Sequence, residues 1–473
     1  MIRINREIFR AYDIRGLAED DLPPKVVFLF GKALGRYFLA HNEQQVLVGR
    51  DNRLSSKRVR DNLISGLTTA GCRVVDLGEV ISPILYYARE HLKINAAIMI
   101  TASHNPADYN GVKLFTAGGR DAKEDVTTLL ESLIAKVDPQ AIRRLDFEEA
   151  KAQNRIEIID PFNDYIDTIL GMIDTEAIKR RKLRIVLDPM YGVSKTSLQT
   201  ILVTTRCEVM VIHDRHDTLF GGRLPSPTTH TLHRLRNTVV ENGFDLGIGT
   251  DGDADRIGII NEQGDFIAPN QILALLYYYL LRYKGWTGGV VRNLSTTHLL
   301  DAIARDFGEE CYEVPVGFKH ISAKMEETNA LIGGESSGGL TIRGHIPGKD
   351  GIFAASLLIE ALSITEKSVS ELLAEIEAKY GVYHMAEKNI SFPSAQKSAL
   401  MAKIFNQQNL PDFGLKIARI SDFDGLKIYF ESGEWISIRF SGTEPLLRIY
   451  AEADSEKSST ALCNIMTGYL GLE

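Results

Sequence analysis

The strongest constraint on the fold is an alternation of strands and helices that the chain repeats three times. Each copy closes with an apolar strand, at Ala96–Ile100, Phe244–Ile248 and Ala330–Ile332. Such alternation predicts layered α/β domains with largely parallel sheets. Each closing strand runs directly into a polar or glycine-rich loop. Since ligands of open α/β sheets gather at the carboxyl ends of strands, the three loops are expected to face a common cleft.

The C-terminal part of the chain follows a different pattern. Within Trp435–Phe440 apolar and polar residues alternate with the period of two that is typical of a strand, and residues 387–452 contain several such runs. The length of 473 residues predicts three or four domains. We therefore predict three similar α/β units and a fourth, smaller α+β domain around a central cleft, with the domains at 1–150, 151–256, 257–367 and 368–473.

Composition excludes several classes of protein. There are 54 Lys and Arg against 62 Asp and Glu, and the net charge of −8 argues against a nucleic-acid partner, which would require a basic surface. The four cysteines form no CxxC pair, so reduced thiols in a cytoplasmic protein are expected. The longest apolar stretch, Ile272–Leu281, is shorter than the ~18–20 residues that span a bilayer, so no membrane association is expected.

The loop after the first closing strand reads Thr101-Ala-Ser-His-Asn-Pro106. Ser103 beside His104 suggests an activated hydroxyl nucleophile, although the same residue types are also typical of a polar turn. Lys113, ten residues after Ser103, could hold a phosphate or donate a proton. A solvated surface lysine is the ordinary expectation there.

The second loop contains three carboxylates at alternate positions, Asp251, Asp253 and Asp255. Oxygen ligands so close together would repel one another without a cation, and they suit Mg²⁺ or Ca²⁺. An EF-hand is excluded because Arg256 stands where that loop needs glycine and because both flanks resemble strands. Mg²⁺ usually takes a phosphate oxygen as well, so a phosphate is expected nearby.

Two further loops offer groups for a sugar and for an anion. In the third loop, Glu335 and Ser337 could hydrogen-bond vicinal sugar hydroxyls, although a flexible glycine-rich turn is equally consistent with Gly333–Gly339. In the fourth, a Ser-Gly-Thr turn lies between two arginines whose guanidinium forks match phosphate oxygens. These residues are Arg439, Ser441, Gly442, Thr443 and Arg448.

Together the loops offer a nucleophile, a cation site, hydroxyl-binding groups and a second phosphate site. A simple phosphatase needs only one phosphate site, whereas two suit a molecule that carries phosphate at one end and exchanges it at the other. The four motifs, in this order, resemble the α-D-phosphohexomutases, which include phosphoglucomutase, phosphomannomutase and phosphoglucosamine mutase. The resemblance extends to Phe9–Gly16 and Val48–Asp51.

The resemblance implies a role for each loop. Ser103 would be phosphorylated, Mg²⁺ would lie between its phosphate and the three aspartates, and a hexose 1,6-bisphosphate would be the intermediate. His104 neighbours the nucleophile, while Arg15, Arg256 and Lys113 would surround the transferring phosphoryl group, with Lys113 a candidate for proton transfer. Glu335, Ser337 and Lys319 would hold the sugar, and the residues of the fourth loop with Arg448 would bind the distal phosphate.

Departures from the family pattern bear on the substrate. Ser336 and Gly339 stand where dual-specificity bacterial mutases have methionine and histidine, and Phe318-Lys319 is closer to phosphoglucomutases. Glucose 1-phosphate is therefore favoured, with mannose 1-phosphate second. The alternatives are a phosphoglucosamine mutase, a Ser/metal-dependent sugar phosphatase and a non-catalytic phosphosugar-binding protein. The expected partner is a small phosphosugar, and the oligomeric state is expected to be a monomer or a homodimer.

Overall fold

A computed structural model describes residues 4–9, 13–116, 120–121, 132, 134, 145–405, 410–441 and 446–472. Its strands are β1 Asp13–Leu17, β2 Gln45–Arg50, β3 Arg73–Glu79, β4 Ala96–Ile100, β5 Tyr109–Thr116, β6 Arg120–Asp121, β7 Ile156–Ile158, β8 Arg184–Asp188, β9 Glu208–Val211, β10 Leu246–Thr250, β11 Ile257–Ile260, β12 Phe266–Ile267, β13 Val290–Asn293, β14 Cys311–Val314, β15 Ile332–Gly334, β16 Leu340–Ile342, β17 His384–Ser391, β18 Ile417–Ser421, β19 Leu426–Phe430, β20 Trp435–Phe440 and β21 Leu446–Ala453.

The described helices are α1 Pro24–Ala40, α2 Ser56–Ala70, α3 Ser82–Leu92, α4 Phe147–Ala152, α5 Phe162–Met172, α6 Thr175–Arg181, α7 Lys195–Thr204, α8 His233–Asn242, α9 Pro269–Arg282, α10 Leu299–Asp306, α11 Phe318–Thr328, α12 Gly351–Thr365, α13 Val369–Tyr380, α14 Lys397–Ile404 and α15 Glu456–Leu470. Short 3-10 turns lie at Arg6–Ile8, Phe220–Gly222 and Ser394–Gln396. Within the described chain, no helix is both long enough and apolar enough to cross a bilayer.

Contacts divide the chain into two compact units. The first unit comprises residues 1–272 and 337–371, and the second comprises residues 273–336 and 372–473. In the first unit, one sheet has the order β1-β5-β4-β2-β3-β7, with β6 beside β5, and another has the order β12-β11-β10-β8-β9. Both sheets are mixed, because the parallel strands at their centres are flanked by antiparallel β5 and β11. Antiparallel β5 is the strand that carries Lys113.

The second unit contains a parallel sheet and an antiparallel sheet. The parallel strands have the order β14-β13-β15, and the antiparallel sheet has the order β17-β21-β20-β19-β18. Ile436 and Ile438 of β20 lie in the apolar core that helix α15 covers, while Arg439 lies outside it, as the alternation predicts. The predicted fold class of three α/β units and a smaller α+β domain is thereby confirmed. Helix α14 lies inside the region for which only strands were predicted.

Helices α1 and α2 pack closely because both have glycine at the crossing. A Cβ on Gly31 would press on the carbonyl oxygen of Leu63, and one on Gly66 would press on the carbonyl of Phe28 and reach 2.6 Å from the nitrogen of Lys32. The two helices cover the first sheet, whose buried core includes Leu63 and Val48. This backbone contact therefore fixes the helical layer behind the strands that deliver the Ser103 loop.

We expect Gly66→Ala to lower the free energy of unfolding. The added methyl group forces the helix backbones apart, and overpacking of this kind costs about 1–3 kcal/mol. Gly171→Ala is the matched control, because Gly171 also lies in a helix but a Cβ added there would meet no described atom within 4 Å. Urea unfolding followed by circular dichroism should show a lower midpoint concentration of urea for Gly66→Ala only. Equal stabilities of the two variants would contradict the packing argument.

Candidate active site

The three aspartates converge in the turn between antiparallel strands β10 and β11. All three are completely buried, and one carboxylate oxygen from each lies within 4.8 Å of the others. The turn is tight because Ala254 adopts the left-handed conformation, with φ 62°. Gly252 is needed there because a Cβ would lie 2.7 Å from the carbonyl oxygen of Ser103. The hairpin thus places three buried carboxyl groups against the serine loop.

Two lysines balance much of this charge. The Nζ of Lys113 donates to Asp253 at 2.6 Å and to Asp255 at 3.1 Å. The Nζ of Lys349 lies 2.9 Å from Asp255. Burial acts to raise the pKa of Asp255, but Lys113, Lys349 and Arg256 outweigh it and hold that pKa well below its usual range. Lys113 is therefore a buried partner of the triad, and the expectation of a surface lysine was wrong.

The triad has the features of a site for a hard divalent cation. Burial, reinforced by the neighbouring carboxylates of Asp255 and Asp253, raises the pKa of Asp251 well above its usual value, so its negative charge is incompletely compensated. One oxygen of Asp253 and one of Asp255 are buried without a hydrogen-bond partner among the described residues. Carboxylate oxygens are the ligands that Mg²⁺ and Ca²⁺ prefer. The residues present therefore fit such a cation.

Ser103 lies beside the triad in an unusual backbone conformation. Its φ of 51° places a residue other than glycine in the left-handed region, which is common at functional sites. The Oγ donates to Asp251 at 2.8 Å, and its distance to Nδ1 of His104 is 3.4 Å. The turn is held locally because the Ser103 N–H donates to the Thr101 hydroxyl at 2.8 Å. The hydroxyl is thus aimed at the triad.

His104 is a neutral neighbour of the serine. Burial, followed by the charges of Arg256 and Arg15, holds the pKa of His104 well below its usual value. A guanidinium nitrogen of Arg256 lies 3.2 Å from the Nδ1 of His104. Because a guanidinium group can only donate, the histidine Nδ1 is the acceptor. Arg15 donates to the side chain of Asn105 at 2.6 Å. The predicted catalytic residues Arg15, Ser103, His104, Lys113 and Arg256 therefore lie together around the triad.

Arg53 holds the serine loop and was missed by sequence reasoning. The buried guanidinium donates to the carbonyls of Ser103 and Asn105, both at 2.8 Å, and to the carbonyl of Tyr109 at 3.1 Å. Asp51 accepts from its Nε at 3.0 Å. The signal available in the sequence was the Asp-Asn-Arg segment at the carboxyl end of β2, a position where side chains of parallel sheets reach a site.

Lys349 was also missed, although its place is prepared by a residue that the sequence singled out. A Cβ on Gly339 would come within 2.7 Å of the Lys349 Cγ, so the absence of a side chain at position 339 makes room for the lysine stem. Lys349 immediately precedes Asp350, which caps helix α12 by accepting from the N–H groups of Ile352 and Phe353, both at 2.9 Å. The glycine at position 339 thus leaves the space that the Lys349 side chain crosses to reach the triad.

The second unit contains most of the residues predicted for the sugar and the distal phosphate. Glu335 is buried just after β15, Lys319 lies in the first turn of α11, and Arg439 lies near the end of β20. Arg448 on β21 is the direct strand partner of Arg439. The N–H of Ser441 donates to the Leu446 carbonyl at 2.8 Å. Gly442 and Thr443 lie outside the described residues, and Ser337 is an exposed residue of the first unit.

Four family models match successive parts of the chain. They are the phosphoglucomutase/phosphomannomutase alpha/beta/alpha domains I, II and III and the C-terminal domain, over residues 6–141, 163–264, 268–380 and 369–467. The first match includes the serine loop and the last includes the strand of Arg448.

Relatives match over nearly their whole length. The "Phosphoglucomutase/phosphomannomutase" of Thermococcus kodakarensis is 32% identical over 96% of this chain and 96% of its own. The "Probable phosphoglucosamine mutase" of Methanopyrus kandleri is 33% identical over 96% and 95%. A solved structure of a phosphoglucomutase/phosphomannomutase family protein from Burkholderia thailandensis has the same fold, with a TM-score of 0.83 and 24% identity over 99% and 98% of the two chains. With a serine, a buried carboxylate triad and a cationic surround already brought together, these matches establish that the chain is a member of the phosphoglucomutase/phosphomannomutase family of phosphohexomutases.

Proposed function

We propose that this chain interconverts hexose 1-phosphates and hexose 6-phosphates, with glucose favoured and mannose also accepted, and with Ser103 as the phosphoryl carrier. The observation that carries the proposal is the Ser103 hydroxyl 2.8 Å from Asp251, in a site where Lys113, Lys349 and Arg256 lie beside the aspartates. A nucleophile in this setting suits an anionic phosphoryl group, because phosphoryl transfer depends mainly on positioning and charge neutralisation.

The reaction balances as two transfers through one serine. The sugar hydroxyl attacks the phosphorus of phosphoserine 103, its O–P bond forms as the bond to the Ser103 Oγ breaks, and the hydroxyl proton passes to a base. The resulting hexose 1,6-bisphosphate then returns its other phosphoryl group to Oγ, and the sugar oxygen that loses it takes up a proton. The second transfer regenerates the phosphoenzyme, so the net reaction moves the phosphate from one hydroxyl to the other.

In the first unit, one set of residues would bind the phosphoryl group and another would bind a metal ion. Arg15, Arg256 and Lys113 would neutralise the phosphoryl oxygens, and Lys113 is the candidate for proton transfer. Asp251, Asp253 and Asp255, with the phosphate on Ser103, would hold Mg²⁺. When bound, this ion would supply positive charge beside the transferring group.

The substrate's remaining groups are assigned to other residues. Glu335, Ser337 and Lys319 would bind sugar hydroxyls, and the distal phosphate would take Arg439, Ser441, Gly442, Thr443 and Arg448. Glucose is favoured because Phe318-Lys319 and Gly339 depart from the dual-specificity pattern. A phosphoglucosamine mutase is the second candidate, favoured by the Methanopyrus kandleri relative. We expect a cytoplasmic monomer or homodimer.

We expect Ser103→Ala to abolish interconversion, because no other group would carry the phosphoryl moiety. A coupled assay with glucose, mannose and glucosamine 1-phosphates, with and without glucose 1,6-bisphosphate, measures this loss and ranks the substrates. Ser398→Ala is the control, because Ser398 is exposed on α14. Full activity in Ser103→Ala would contradict the mechanism, and release of inorganic phosphate by the wild-type enzyme, with loss of organic phosphate, would indicate a phosphatase.

Divalent ions should stabilise the wild-type protein and should be required for turnover. A ligand at about 100 times its Kd adds ~2.7 kcal/mol to the free energy of unfolding. Calorimetric titration with Mg²⁺ and thermal unfolding with and without a chelator should show binding that Asp255→Asn weakens about tenfold or more, since one anionic ligand is lost. Asp20→Asn, which changes an exposed aspartate, should bind Mg²⁺ as the wild type does. Equal Mg²⁺ affinity in the two variants would exclude Asp255 as a ligand.

Arg53→Lys should slow turnover without removing substrate binding. A lysine ammonium cannot match a guanidinium that donates to several carbonyls at once, so the Ser103 loop would lose its fixed geometry. We expect kcat to fall about tenfold to a hundredfold, with a smaller change in KM, because small misplacements of a reacting group have effects of that size. Transfer of label from glucose 1,6-bisphosphate to Ser103 should slow equally.

The control for this prediction is Arg73→Lys, which changes an exposed arginine on β3. An Arg53→Lys enzyme that remains folded by circular dichroism and phosphorylates Ser103 at the wild-type rate would show that the Arg53 hydrogen bonds to the serine loop are dispensable.

A further inference from the structure

The carboxylate of Asp424 connects two parts of the second unit that the proposed function assigns to different groups of the substrate. One oxygen accepts from the N–H of Val316 at 2.7 Å, and the other accepts from the Nε of Arg439 at 2.9 Å. Val316 opens the segment that leads to Lys319, and Arg439 is assigned to the distal phosphate. A single side chain therefore fixes the distance between the two.

The turn that carries Asp424 is shaped to lie against strand β20. Gly425 has a φ of +86°, in the region that favours glycine. A Cβ at this position would press on the carbonyl oxygen of Ile438 and come within 3.2 Å of the Arg439 Cα. The turn thus approaches the backbone beside Arg439 as closely as a glycine allows.

The strand that follows the turn is anchored to the same part of the parallel sheet. On β19, the buried Lys427 donates to the carbonyl of Leu294 at 2.6 Å and to Glu313 at 2.7 Å. Glu313 lies on β14, three residues before Val316, and also accepts from the hydroxyl of Tyr429. The contact of Asp424 with Val316 therefore belongs to a continuous set of polar contacts between these elements.

The charges of both parts act on one histidine, His320. The pKa of His320 is lowered mainly by burial and then by the charge of Lys319, with Arg439 adding to the effect, while Asp424 and Glu335 oppose it. The charges of Lys319, Glu335, Arg439 and Asp424 thus all act on this histidine in the first turn of α11.

We propose that Asp424 is a positioning residue that holds the guanidinium of Arg439 in register with the sugar-binding segment 316–319. This inference rests on the proposed function of those two parts. With Nε engaged by the carboxylate, the two Nη nitrogens would form the edge that binds a phosphate in bidentate fashion. The geometry of the phosphate site and that of the sugar site are thereby coupled through one side chain.

Charge and geometry predict opposite effects of Asp424→Asn. Removing a negative charge beside Arg439 would strengthen phosphate binding if Coulomb attraction alone mattered. If Asp424 positions the arginine, affinity should fall, because an asparagine side chain has only one accepting oxygen and cannot hold both Val316 and Arg439. Asp422→Asn in the same turn is the matched control, because Asp422 is exposed and the change in charge is identical.

The test measures both binding and turnover. Calorimetric titration with glucose 6-phosphate, in a Ser103→Ala background, should show affinity about tenfold or more weaker for Asp424→Asn, in line with loss of a hydrogen bond to a charged group. In the enzyme that keeps Ser103, the Asp424→Asn substitution should raise KM about tenfold, with a smaller change in kcat. Asp424→Glu, which keeps two accepting oxygens, should recover part of the affinity. Unchanged or tighter binding in Asp424→Asn, with the control normal, would overturn the inference.

A double-mutant cycle with Lys319→Met tests the coupling itself. If Asp424 holds segment 316–319, the effects of the two substitutions on glucose 6-phosphate affinity should be less than additive, whereas additive effects would overturn the link to the sugar segment. Circular dichroism and thermal unfolding check that each variant is folded, and Asp424→Glu serves if Asp424→Asn is not. A wild-type enzyme that fails to interconvert hexose phosphates would refute the proposed function. Normal turnover by the wild type, together with unchanged glucose 6-phosphate affinity in Asp424→Asn, would refute only this inference.

Discussion

The active site of the first unit depends on how three buried carboxyl groups are compensated. Carboxylates within 4.8 Å of one another repel strongly in a medium of low dielectric constant, and they remain charged only if cations or hydrogen-bond donors lie beside them. Lys113 on β5 and Lys349 in the segment before α12 meet this requirement for Asp253 and Asp255. Asp251 accepts from the Ser103 hydroxyl and is compensated only in part. The charge of the hairpin turn is therefore compensated by residues from distant parts of the chain.

The same requirement dictates where the backbone is tight. Ser103 and Ala254 both have positive φ, a conformation that costs residues other than glycine about 1–2 kcal/mol. Gly252 and Gly351 let the neighbouring backbones approach, since a Cβ on Gly351 would lie 2.8 Å from the carbonyl oxygen of Ala254. Close packing of the loops thus places the serine hydroxyl within hydrogen-bond distance of Asp251, and the surrounding contacts offset the local strain.

Local patterns predicted the positions of strands and loops well, because periodicity and turn chemistry report on neighbouring residues. Strand Ala96–Ile100, the hairpin around the aspartates and the end of α2 at Gly71 follow such patterns. The partners of these loops were not predictable in that way. Lys113 pairs with residues 140 and 142 positions away, and Arg53 holds a carbonyl 50 positions away, so both depend on tertiary packing. Without knowledge of such packing, a sequence alone predicts that lysine and arginine are exposed to solvent.

A net charge of −8 is compatible with anionic substrates because positive charge is concentrated and held locally. In the second unit, Arg439 and Arg448 are direct partners on antiparallel strands, a pairing of like charges that is unfavourable without an anion between or beside them. Asp424 supplies one anionic partner through the Nε of Arg439. A bound phosphate would supply another, in the way that the lysines of the first unit compensate Asp253 and Asp255. Electrostatic compensation by specific neighbours, more than the overall charge of the chain, therefore explains how an acidic protein is suited to bind phosphosugars.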